Sequence, residues 1–316
     1  MKIAALQMIS TPDVARNLDI ARRLIDQAVS AGARLVALPE YFCLMGHADR
    51  DKLGIAESPG EGPIQAMLST AAEEHGVWVI GGTLPMKTDD PERVANACCV
   101  YAPDGSQAAR YDKIHLFRFD SGKERYDEAR VLQAGHTPVA FDMRTGPAEA
   151  GSETAFDPVA ATADSLMAGL LSVAPEIVHA VVPATSPDQY SLRVGLTICY
   201  DVRFPELYRA LSFGTGSRPC DLIAVPAAFT HTTGLAHWEL LLRARAVENQ
   251  CYVIAPAQGG LHENGRRTFG HSLIVDPWGT IVAMQEEGEG VVIADIDLER
   301  LAEVRKQLPA LEHRML

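Results

Sequence analysis

The sequence predicts an α/β fold, and three observations predict it. Short apolar runs alternate with amphipathic stretches along nearly the whole chain. Gly, Pro and Asp residues punctuate the joins between them. Apolar residues make up 47% of the 316 positions and charged residues 22%, enough to bury a substantial core under a polar surface. Helix–strand alternation on this scale packs helices on sheets.

Ile3–Met8 reads as a buried strand. Residues 16–31 place Leu18, Ala21, Ile25 and Ala28 on one helical face, with Gly32 just past the end. Leu35–Leu38 is the next strand, stopped by Pro39. Residues 63–75 read as a helix ended near Gly76, and Val77–Gly81 as the strand after it. Asn96–Tyr101 and Arg110–Lys113 make a hairpin about the turn Ala102-Pro103-Asp104-Gly105. Strand Arg193–Ile198 leads into a helix over Pro205–Phe213, then strand Asp221–Val225, a long helix over 234–249 and strand Cys251–Ala255. A second hairpin joins Gly270–Val275 to Thr280–Met284 around Asp276-Pro277-Trp278-Gly279. Val291–Asp295 is the last strand and 298–307 the last helix. Residues 143–189 break this rhythm. They are rich in Ala, Ser, Thr and Pro and read as a long surface insertion, with a short helical stretch over 163–172. The expectation is one domain, 1–316, carrying that insertion.

The net charge is −13 and no basic stripe appears, which argues against a nucleic-acid partner. An anionic ligand would need locally placed arginines. No run approaches the about 20 apolar residues of a membrane span, so no membrane partner is expected. Cys43, Cys98, Cys99, Cys199, Cys220 and Cys251 form no CxxC pair, which argues against a zinc site or a disulfide framework. The opening MKIAALQM lacks a signal peptide's long apolar run and cleavage site, so a reducing, cytoplasmic location is expected. Cys98 and Cys99, adjacent in one strand, should face opposite sides and pack; Cys43 and Trp278 are also read as structural.

Glu40, Lys113 and Cys199 each stand at the end of a strand. In open α/β sheets ligands bind beyond the carboxyl ends of strands, so distant residues at such ends can converge. A thiol is a strong nucleophile once ionised, but its free pKa of about 8.5 leaves little thiolate at neutral pH. A carboxylate can take the proton, and the helix after Cys199 would favour the thiolate. A lysine can stabilise the oxyanion formed on a carbonyl, with the backbone N–H of Tyr200 as a second donor. The product is an acyl-thioester released by water. Taken singly, each residue has a plainer reading: a small buried hydrophobe, a solvent-facing carboxylate, an edge charge.

The flanking words decide between these readings. Leu38-Pro39-Glu40-Tyr41-Phe42, Tyr111-Asp112-Lys113-Ile114-His115-Leu116 and Thr197-Ile198-Cys199-Tyr200-Asp201-Val202-Arg203-Phe204-Pro205-Glu206-Leu207 resemble, in order, the three signature segments of the nitrilase (carbon–nitrogen hydrolase) superfamily. Further matches run from Gly234 to Glu239, from Arg243 to Gln250 and from Gly270 to Gly279.

The resemblance implies a four-layer αββα sandwich, homodimers or larger homo-oligomers, and no metal or organic cofactor. It implies that Cys199 is the nucleophile, Glu40 the base and Lys113 the stabiliser. Glu128, in Arg125-Tyr126-Asp127-Glu128-Ala129-Arg130, matches a second family glutamate that positions the lysine or assists water; its plainer reading is a surface helix carboxylate. The Cys199 segment, with Pro256-Ala257-Gln258-Gly259-Gly260, His262 and Gly270-His271-Ser272, is similar to the branch of deaminated-glutathione amidases and ω-amidases. The first release 2-oxoglutarate and cysteinylglycine; the second act on 2-oxoglutaramate. Nitrile hydrolysis uses the same trio, and a non-catalytic scaffold on this fold is the alternative of another class, one with no need for an intact trio.

Both amide substrates carry carboxylates. Arg203 is a candidate clamp, or else a structural ion pair with Glu206 or Asp201. Thr230 and His231 are candidate substrate contacts beside Tyr200. His115 belongs to the Lys113 segment, and the sequence lacks the local signatures of a Cys–His protease. Two features depart from the branch: Leu235 stands where proline is usual, and the insertion at 143–189 lengthens the connection before Cys199.

Overall fold

The period-2 pattern of the first strand sorts the core into layers. In the computed structural model, which describes residues 1–122, 124–144, 178–180, 191–213 and 218–315, the strand Lys2–Gln7 sends Ile3 and Ala5 to one cluster and Ala4 and Leu6 to another. The first cluster is shared with Val194, Leu196, Leu222 and Ile254 of a second sheet. The second is shared with Leu24 and Ile25 of the helix Val14–Ser30 and Leu68 and Ala72 of the helix Pro63–His75. Successive strand side chains point to opposite faces, so one sheet serves two cores.

Among the described residues the first sheet runs Gly290–Asp295, Lys2–Gln7, Leu35–Ala37, Trp78–Ile80, Val94–Tyr101 and Leu84–Lys87, with Gln107–Asp112 and Leu132–Gln133 also paired to Val94–Tyr101. The second runs Val178–Ala180, Val139–Arg144, Ser191–Leu196, Leu222–Ala224, Tyr252–Ala255, Ser272–Val275 and Ile281–Gln285. Each has three central strands in parallel, Ile3 beside Leu35 beside Trp78 and Val194 beside Leu222 beside Tyr252, with antiparallel neighbours outside them. The helices Pro205–Phe213 and His231–Asn249 lie outside the second sheet; Leu211 of the first meets Gly195, and Trp238 and Leu242 of the second belong to the same apolar cluster as that sheet. The architecture is αββα.

Most predicted elements stand, with shifted ends. The first helix begins at Val14, where the Asp13 carboxylate accepts the Arg16 N–H at 3.1 Å. The long helix begins at His231, three residues before its predicted start, capped by Thr230. Cys98 and Cys99 divide between the two cores as expected, and Cys43 packs in the helix-side core. The predicted insertion at 143–189 is corrected at its ends. Val139–Arg144 is a strand that carries Met143 into the core, and Val178–Ala180 pairs with it in parallel. The expected helical stretch over 163–172 lies outside the described residues. Among the described residues no helix is long and apolar enough to cross a membrane.

Candidate functional site

The strand Leu35–Ala37 delivers Glu40 to the seam between the sheets. Tyr41 follows with φ +58°, a left-handed turn that is unusual for an aromatic residue. The turn lies against Gly82, at φ +52°, where a Cβ would stand 2.2 Å from the Pro39 carbonyl oxygen. Only glycine permits that approach. Glu40 is buried. Its Oε1 accepts from Lys113 Nζ at 2.8 Å and Asn96 Nδ2 at 3.0 Å, and its Oε2 from the Ala228 N–H at 2.9 Å. Ala228 follows a strand of the second sheet, so this carboxylate is held from both sheets.

Lys113 stands one residue past the strand Gln107–Asp112 and is fully buried. Its main chain is fixed by N–H donation to the Asn96 carbonyl and by a bond from the Gly135 N–H. Glu128 opens a 3₁₀ turn, Glu128–Arg130, rather than lying on a surface helix. Its oxygens lie 3.0 and 2.9 Å from Lys113 Nζ, and they accept from Tyr41 Oη at 2.8 Å and the Phe117 N–H at 2.7 Å. Cys199 follows the strand Ser191–Leu196, opens the 3₁₀ turn Cys199–Arg203 and adopts φ +49°. Its N–H donates to the Pro226 carbonyl at 2.9 Å, and the residue is 8% exposed. A non-glycine residue held in this conformation stores strain, which clusters at functional sites.

The charges around the thiol do not cancel. Burial pushes Cys199 well above the usual thiol range, and the Glu40 charge pushes further the same way, against Lys113. Burial and the Glu40 charge therefore favour the neutral thiol as the resting form. Burial alone would lower Lys113, but the Glu128 and Glu40 carboxylates hold it above its ordinary value. Burial would raise Glu128, and the Lys113 charge and the donors around it hold it below the carboxylate range instead.

A cavity opens over these groups, with Glu40, Glu128 and Cys199 in its wall. Of the other predicted contacts, Tyr200 and Thr230 line it. Arg203 and His231 do not. The Arg203 guanidinium lies over the Tyr200 and Phe229 rings, 5.8 and 5.4 Å from their centres, with Nη2 3.3 Å from His237 Nδ1, one layer behind the wall. Neither Glu206 nor Asp201 pairs with it among the described residues. His231 packs edge-on to Phe269. His115 stacks on Phe204 at 3.7 Å and points Nδ1 at Asp201 Oδ1, 2.7 Å away.

Three groups escaped the sequence reading. Asn96 orients Glu40. Buried Asp201 accepts from Tyr111 Oη at 2.7 Å, the Ile198 N–H at 2.8 Å and the His115 N–H at 3.1 Å, tying the Cys199 turn to the Lys113 loop. Arg266 lines the cavity from a distant loop. Asp201 stood within the Cys199 segment, whereas Asn96 and Arg266 carried no local signal.

The carbon-nitrogen hydrolase family profile matches residues 2–306. The chain belongs to the carbon–nitrogen hydrolase family. This hydrolase is 39% identical to a protein of Synechocystis sp. named deaminated glutathione amidase, over 99% of this chain and 97% of that one. It is 34% identical to omega-amidase NIT2 of Xenopus tropicalis, over 99% and 94%. The crystal structure of the C. elegans NitFhit protein superposes with a TM-score of 0.75 at 33% identity. That match covers 99% of this hydrolase and 65% of the longer NitFhit chain.

Proposed function

We propose that the protein hydrolyses small carboxylated amides through an acyl-thioester on Cys199. The observation that carries this reading is the meeting of Cys199, Glu40 and Glu128 in the wall of one cavity, with Lys113 bonded to both carboxylates behind it. The neutral thiol attacks the amide carbonyl while Glu40 takes its proton. Lys113 has three N–H bonds; its two carboxylate partners leave one for the oxyanion. Collapse of the tetrahedral species breaks the C–N bond, and Glu40 returns the proton to the departing amine. Water, deprotonated by Glu40, then adds to the thioester and releases the carboxylic acid and the thiol. Glu128 keeps Lys113 charged and aimed. Tyr200 and Thr230 touch the acyl chain, and Arg203 stiffens the Tyr200 and Phe229 wall from behind.

The names of the relatives favour deaminated glutathione as substrate, with 2-oxoglutarate and cysteinylglycine as products. The second reading is 2-oxoglutaramate. Steady-state rates on deaminated glutathione, 2-oxoglutaramate and simple nitriles rank the readings. Turnover of 2-oxoglutaramate alone would replace the first reading with the second, and turnover of none would remove the amidase assignment. Homodimerisation is supported by Leu235, Leu240 and Val247, exposed by 68, 67 and 48% on the helix His231–Asn249. Light scattering tests it, with a strictly monomeric mass as the contrary result. The six free thiols support a reducing, cytoplasmic setting.

A further inference from the structure

The wall of the site extends beyond its catalytic groups. A second cavity adjoins the first, and the two share Phe117, Glu128 and Arg266 as a common wall. The inner cavity is lined by Cys199 and Glu40 together with Tyr200, Phe229 and Thr233. The outer one is lined by Tyr41, the residue after Glu40, by Lys52, whose ammonium lies 4.8 Å from the Tyr41 ring centre, and by Tyr126. Glu40 must hand its proton to the departing nitrogen. The acyl chain stays with the thiol, and Glu128, which stands in both walls, puts the outer cavity within reach of a substituent on that nitrogen.

The charges of the outer wall are mostly matched. Lys52 lies 3.4 Å from Asp49, Asp127 3.7 Å from Arg130, and Glu128 2.9 Å from Lys113. Arg266 is different. Among the described residues no carboxylate pairs with it. Its Nη2 donates to the Ala228 carbonyl at 3.1 Å, Nη1 lies 4.0 Å from the Met45 sulfur, and its plane sits 5.0 Å from the Tyr126 ring centre. A thioether is a weak acceptor, so a cation with spare donors stands on the boundary between the cavities. The Ala228 peptide fixes it relative to the base, since the N–H of the same residue holds Glu40 at 2.9 Å.

We propose that the outer cavity is the leaving-amine subsite and that Arg266 binds a carboxylate carried by the departing amine. This deepens the amidase reading and rests on it. The favoured substrate class is then a secondary amide whose amine portion is a short, anionic, peptide-like group, rather than a primary amide that releases ammonia. Tyr126 offers that group an aromatic face.

The test compares three amides that share the 2-oxoglutaryl acyl group. In deaminated glutathione the leaving amine ends in a carboxylate; in its C-terminal carboxamide the same amine is neutral; in 2-oxoglutaramate it is ammonia. Wild-type enzyme should prefer the first over the second by about 10- to 100-fold in kcat/KM, the usual weight of a charge-assisted contact. Arg266→Gln should erase that preference, mainly through KM on the carboxylated amide, and Arg266→Lys should restore part of it. Equal losses on all three amides would place Arg266 at the acyl end or in the scaffold and overturn the proposal. If Arg266→Gln fails to fold, the wild-type ratio decides, and a ratio near one overturns it. Hydrolysis of 2-oxoglutaramate without the other two sinks the subsite but leaves the amidase. Hydrolysis of none sinks the amidase itself.

Discussion

At the scale of single residues, the neutral thiol and its three charged neighbours form one unit. Cys199→Ala should abolish turnover while thermal unfolding stays close to wild type, because the change only shortens a side chain at a cavity wall. Retained turnover would remove the nucleophile. Glu128→Gln tests a subtler role. It takes one of two carboxylates from Lys113, whose high pKa depends on both. A fall of about 10²-fold in kcat, with KM little changed, is expected if Lys113 loses its aim on the oxyanion. An unchanged kcat would make Glu128 a structural anchor for the Phe117 loop. Glu40, Lys113 and Cys199 were legible because each sits in a distinctive stretch of neighbours. Arg266 and Asn96 were not, because their importance lies in who faces them across the seam. Arg203 illustrates the opposite error: it sits in the most distinctive segment, yet its guanidinium stacks behind the cavity wall.

At the scale of elements, what was legible were the longer periodic pieces. Pro205–Phe213 appears at its predicted bounds because Pro205 starts the helix and the apolar face is unbroken. Leu84–Lys87 was hidden by Pro85, which an edge strand tolerates and a central one does not. Val139–Arg144 does alternate, with Val139, Phe141 and Met143 buried and Asp142 and Arg144 less so, but six residues merging into an Ala- and Pro-rich stretch gave the pattern little weight. Turn geometry is where such elements are most fragile. Gly82→Ala should destabilise the protein by at least about 2 kcal/mol, since it adds a left-handed penalty to a backbone clash with Pro39. Urea unfolding measures the loss. Activity should fall by more than the unfolded fraction explains, because Glu40 rides on that turn. A neutral substitution would mean that the Glu40 loop shifts freely.

At the scale of the whole molecule, the site lies on the seam where two sheets meet, and the seam is polar. Gln258 reaches across it, donating from Nε2 to the Ser10 hydroxyl at 2.7 Å and the Glu40 carbonyl at 3.1 Å. Buried His262 completes the link: Nδ1 donates to the Ser10 carbonyl at 2.9 Å, so Nε2 accepts from the Thr268 hydroxyl at 2.8 Å. Burial pushes this imidazole down to about 4, against 6.5 for an ordinary histidine. The unfolded chain therefore binds the proton more readily than the folded one. His262's contribution is complete above pH 6.5 and is lost as pH falls through the window down to about 4. Between pH 7 and pH 5 that difference amounts to about 2 kcal/mol. Glu128, held below its usual range, loses its contribution in the same direction on further acidification, whereas Lys113, held above, loses its contribution only as pH rises beyond its ordinary 10.5. His262→Gln should consequently be less stable than wild type at pH 7 but show a flatter decline toward pH 5, measured as unfolding free energy at each pH. Parallel declines in the two proteins would mean that His262 does not titrate on unfolding, and that acid opens the seam through its carboxylates alone.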